Sequence, residues 1–109
     1  MALWNLASIL RLDVDAQDNG AVGGTFTYQG VTYPVTGEWR ASGNQSGGVY
    51  SVLRVTGQTG VEDPADLLYI AASGIAYGPG NAPTQIDIQG AVTSSLHGTI
   101  ESFNRVLLP

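Results

Sequence analysis

The segment Val31-Thr-Tyr-Pro-Val-Thr-Gly-Glu-Trp39 alternates without interruption: Val31, Tyr33, Val35, Gly37 and Trp39 fall on one face, and Thr32, Pro34, Thr36 and Glu38 on the other. Successive side chains of an extended chain point to opposite sides, so this period of two describes a strand with one buried and one solvated face. A helix would scatter the same residues around its whole surface. Pro34 has no N–H to give a ladder, which places an edge or a bulge at that point.

The same period recurs on both sides of this segment. Leu10, Leu12 and Val14 oppose Arg11, Asp13 and Asp15 in a strand spanning about 6–15, and Asp18-Asn19-Gly20 follows with residues that tolerate the positive φ of a tight turn. A second strand carries Phe26 and Tyr28 on one side and Thr25 and Thr27 on the other, and Gln29-Gly30 turns it into 31–39. The run 42–48 is polar and glycine-rich and reads as a flexible loop. Residues 49–56 and 69–77 are apolar on both faces, so each calls for cover on both sides. Between them, Asp63-Pro64-Ala65-Asp66 has a capping carboxylate and a proline at the first helical position, which predicts a short helical turn at 64–68. Whether 64–73 continues as helix or becomes strand is open at this level. A loop at 78–83, a strand with Ile86, Ile88 and Val92 inward, and a last strand over 96–107 complete the order. The expectation is one all-β domain over 1–109, an antiparallel meander of about seven strands closed as a barrel or folded as a sandwich.

Composition narrows the function. Hydrophobic residues make up 43% of the 109, enough for one core, while charged residues make up 12%, about half the usual share. Four arginines, no lysine and a net charge of −5 leave no basic patch for phosphates, so neither nucleic acid nor an anionic membrane is an expected partner. Without cysteine there is no disulfide, thiolate nucleophile or thiolate metal site, and without lysine there is no Schiff base. The N-terminal stretch lacks the features of a secretory signal, which makes the cytoplasm the default compartment.

No catalytic constellation emerges. Asp15, Gln17, Asn19 and Gly20 match the opening half of a calcium loop, with Asp13 and Asp18 beside them. The position that needs a bidentate glutamate is Phe26, so a turn explains these residues without metal. His97 is the only histidine and is read as a surface residue of the last strand, sharing a face with Thr99, Glu101 and Arg105 opposite an inward Leu96 and Ile100. Gly23-Gly24 and Gly47-Gly48 lack phosphate-loop spacing, and no Gly-x-Ser-x-Gly elbow occurs. No metal, cofactor or catalytic residue is assigned.

The remaining feature is aromatic. Phe26 and Tyr28 should meet Tyr33 and Trp39 across the Gln29-Gly30 hairpin, either as core or, in the functional reading, with Tyr28, Tyr33 and Trp39 lining a pocket. Two functions follow. The first is a non-enzymatic, self-associating β protein, a structural or accessory part of an oligomer or larger assembly, or a small binding module. The alternative is a small barrel enzyme or carrier for an apolar small molecule held by Tyr28, Tyr33 and Trp39.

Overall fold

The computed structural model describes the backbone of residues 2–45, 48–59 and 67–109, and side chains outside 42–50. Its eight strands are β1 (Ala2–Ala7), β2 (Leu10–Ala16), β3 (Ala21–Tyr28), β4 (Val31–Gln45), β5 (Gly48–Gln58), β6 (Leu68–Tyr77), β7 (Gln85–Ser94) and β8 (Gly98–Leu107). They form one antiparallel sheet in sequence order, curled into a half-barrel. The meander is therefore a single curled sheet and not a sandwich of two. Its ends meet at one point, where Ala7 N–H donates to the Leu108 carbonyl at 2.8 Å and Leu108 N–H to the Ala7 carbonyl at 3.1 Å.

The eighth strand comes from the N-terminal segment, which the alternation presents as one strand over 6–15. The chain instead folds back at Ser8-Ile9, pairing Leu6 with Leu12 and Ala7 with Arg11. No glycine, proline or asparagine marks that turn, and Leu6, Leu10 and Leu12 keep the same parity on either side of it. The period therefore carries straight across the break.

The turn residues behave as expected elsewhere. Gln29 and Gly30 both adopt positive φ, 53° and 80°, closing the β3–β4 hairpin with the hand that matches strand twist. Gly20 N–H donates to the Gln17 carbonyl, and Asn19 Oδ1 accepts from Ala21 N–H at 3.0 Å. Pro34 pairs with Thr25 of β3, but the β4–β5 ladder begins only at Val35 opposite Gly57. Its missing donor thus falls where the ladder to β5 has not yet started.

Two expectations change and one is not reached. The loop at 42–48 is largely strand, because the β4–β5 ladder continues through Asn44 opposite Val49 and Gln45 opposite Gly48, past a register shift after Ala41. The helical turn at 64–68 lies mainly outside the described residues, and Leu68–Tyr77 is strand. His97 sits in the β7–β8 turn and not on a strand, while Leu96 and Ile100 are exposed. A register shift at Val92/Thr93 makes Ile100 the extra residue of β8, and the buried members of that strand are Phe103 and Leu107.

The core lies on the concave face: Trp4, Leu12, Phe26, Tyr33, Leu53, Ile70, Ile88 and their neighbours are buried there. Curling a sheet this far forces adjacent strands close at the bends. Two glycines show the constraint directly. A Cβ on Gly37 would stand 1.8 Å from the Arg54 carbonyl oxygen, and one on Gly90 would stand 2.2 Å from that of Ala71. Glycine is required at such points because the neighbouring atom is main chain and cannot swing aside.

Candidate functional site

The half-barrel separates the aromatic residues into two groups. At one end Trp39 packs against Trp4, ring centroids 5.9 Å apart, and its indole N–H donates to the Gln17 carbonyl at 2.6 Å. Trp4, fully buried, donates its own indole N–H to the Gly80 carbonyl at 2.8 Å, tying the β6–β7 loop to β1. Toward the other end Phe103 of β8 packs on Phe26 at 5.7 Å and on Tyr28 at 5.2 Å. Tyr33 stands directly opposite Phe26 in the β3–β4 ladder and is buried with it.

The sequence-selected residues Tyr28, Tyr33 and Trp39 therefore do not form one wall. Tyr28 and Tyr33 are core residues, and Trp39, half-buried, borders a cleft of about 680 Å³ that Asp18, Asn19, Glu38, Arg40 and Arg54 also line. The split follows from strand length: the hairpin that opposes Phe26 and Tyr33 carries Trp39 beyond the start of β3, where its N–H meets the Gly20 carbonyl. The cleft is lined by charges of both signs, including Glu38 and Arg54, 3.9 Å apart with both side chains mostly exposed. Such a pair contributes little.

The acidic N-terminal residues do not converge. Arg11 Nε donates to Asp13 Oδ2 at 2.6 Å, and Gln17 Nε2 donates to Asp15 Oδ2 at 2.8 Å. Among the described residues no three His, Cys, Asp or Glu side chains gather as metal ligands. The residues that look like the start of a calcium loop thus serve β2 and its turn.

Parity alone hid one polar group. Glu101 and Arg105 are not on an outer face opposite an inward Ile100; Glu101 pairs with Val92, Arg105 with Ile88, and Phe103 between them with Gly90, all on the concave side. The available signal was that Phe103 and Leu107 share their parity. Burial, then a hydrogen bond to Glu101 and the charge of that carboxylate, push the Tyr28 hydroxyl up to about 12, against a smaller opposing pull from Arg105. Burial also raises Tyr33. A tyrosine held above its unfolded value of 10.0 favours folding in its neutral form, so that stability is complete below pH 10 and is lost as pH rises towards 12. Chemical denaturation at fixed steps from pH 9 to 12 should show this decline, and Tyr28→Phe should flatten it. An unchanged decline in that variant would assign it to other groups.

Comparison with known proteins identifies no relative: no family model matches the chain, and no match appears among curated proteins or solved structures.

Proposed function

We propose that this chain is a non-enzymatic, self-associating β protein, whose working form is an assembly of its own copies. The observation that carries this reading is the outer face of β5, β6 and β8. Val52, Ile75, Tyr77 and Val106 are 44%, 38%, 39% and 48% exposed. Val52 pairs directly with Ile75, Tyr77 lies two residues along β6 on the same face, and Val106 lies two strands away from Ile75, across Asp87 of β7. Their strands already bury a full set of side chains on the concave side, so these outward residues are surplus to the core. Large apolar residues grouped on one outer face mark association surfaces more often than chance exposure. A surface with few charges supplies little repulsion against such contact.

Tyr69, also exposed, continues the apolar content of β6 along the same face. This supports the same reading from the strand that the sequence marks as apolar on both sides. Sedimentation velocity or light scattering on the full chain over a concentration series is the test. A species larger than a monomer that grows with concentration is expected, and a monodisperse monomer throughout would overturn the reading.

A further inference from the structure

Self-association requires a surface, and the sheet offers one with built-in symmetry. β8 is the last strand, and among the described residues its outer edge has backbone bonds to another strand only just past its end, where Leu108 exchanges both with Ala7. Backbone groups of an antiparallel strand alternate in direction, so Val106, Asn104 and Ser102 turn their N–H and C=O groups towards the same side as Leu108. No strand pairs with that side of β8 among the described residues. The Asn104 carbonyl instead accepts from its neighbour's guanidinium, Arg105 Nη1, at 2.9 Å. An edge of this kind is a template for another strand.

The residues along it are complementary about Phe103: polar Ser102 mirrors polar Asn104, and anionic Glu101 mirrors cationic Arg105. We propose that two copies of this chain join by antiparallel pairing of their β8 edges, with the two-fold axis at Phe103. Each Glu101 then faces Arg105 of the second copy, within the regular part of β8 that follows the bulge at Ile100. A two-fold axis makes every favourable pair occur twice, which is how isologous interfaces are built. This inference rests on the self-association reading and names the surface that carries it.

Charge selects the register. Pairing about Glu101 would set glutamate against glutamate, and pairing about Arg105 would set arginine against arginine. Pairing about Ser102 or Asn104 would place a charge opposite Phe103. Only the axis at Phe103 gives two opposite-charge pairs and no repulsion. Surface ion pairs add little affinity by themselves, but like charges set directly opposite discriminate strongly between registers. The main-chain bonds of the edge supply the rest.

The test compares four variants of the full chain by sedimentation equilibrium, with circular dichroism to establish that each is folded. Glu101→Arg and Arg105→Glu each set like charges opposite one another twice, and each should raise the dimer dissociation constant roughly tenfold or more. The double variant E101R/R105E exchanges the charges within each pair and should restore association. Ser102→Pro deletes an edge N–H at a position where proline is tolerated in an edge strand, and should leave a folded chain that does not dimerise. The ion-pair component should also weaken with added salt. If wild-type associates but S102P and both single reversals associate equally well, the β8 edge is not the interface and the self-association reading stands. If wild-type is a monomer throughout, both fall together.

Discussion

Replacing Gly37 by alanine is expected to cost about 3 kcal/mol or more, at or beyond the upper end of what inserting one methyl group into a packed site usually costs. The new Cβ would stand 1.8 Å from the Arg54 carbonyl oxygen and 2.8 Å from the Val55 Cα. Both belong to the β5 backbone. A flexible side chain could turn away, but relieving this contact requires β4 and β5 to separate at the bend that gives the sheet its curl. Gly23→Ala is the matched control, because a Cβ there meets nothing within 4 Å, and its effect should stay within roughly 0.5 kcal/mol. Urea unfolding of the two variants checks the contrast. Equal stabilities would mean that the curl is not set by close backbone approach at Gly37.

Trp4→Ala is expected to be as damaging, at about 3–5 kcal/mol, the usual range for truncating a fully buried tryptophan. Trp4 contributes two separable things: a packed indole against Trp39, and an N–H that satisfies the Gly80 carbonyl. Trp4→Phe keeps much of the first and removes the second, leaving that carbonyl without its donor, for about 1–3 kcal/mol. The two variants together apportion packing and hydrogen bonding. Because the Trp4 indole ties the β6–β7 loop to β1, W4F should also speed amide exchange in the loop around Gly80 while leaving β4 and β5 protected. Exchange spread evenly over the sheet would show that the bond does not act locally. Truncation to alanine empties space in the core and should lower stability throughout.

In the proposed association the outer face and the β8 edge would have different parts. An apolar face can adhere in many orientations, whereas a strand edge flanked by opposite charges accepts one register. The same feature that leaves β8 open, a chain that meets β1 only at Ala7 and Leu108, keeps the molecule from closing on itself and leaves strand pairing available to a second copy.

Much of this protein was legible from residue order. The alternation in 31–39, the Gln29-Gly30 and Asn19-Gly20 turns, and the inward Ile86, Ile88 and Val92 determined an antiparallel all-β meander, because strand parity and turn conformation are local properties of the chain. The β1–β2 turn was hidden for the same reason: Ser8-Ile9 carries no glycine, proline or asparagine, and parity runs through it unchanged. In β8 one extra residue, Ile100, inverted the parity that a periodic reading assigns, and so concealed that Phe103 packs with Tyr28. The candidate aromatic wall illustrates the limit most plainly. Sequence placed Tyr28, Tyr33 and Trp39 on one face, which is correct, but along that face Trp39 packs on Trp4 while Tyr28 packs on Phe103 and Tyr33 is buried in the core. How far the sheet curls, which ends meet, and which edge stays open depend on close approaches such as that of Gly37 to Arg54, residues about 17 apart in the chain. Only the folded arrangement decides them, because they arise from the summed twist of eight strands and not from the preference of any one segment.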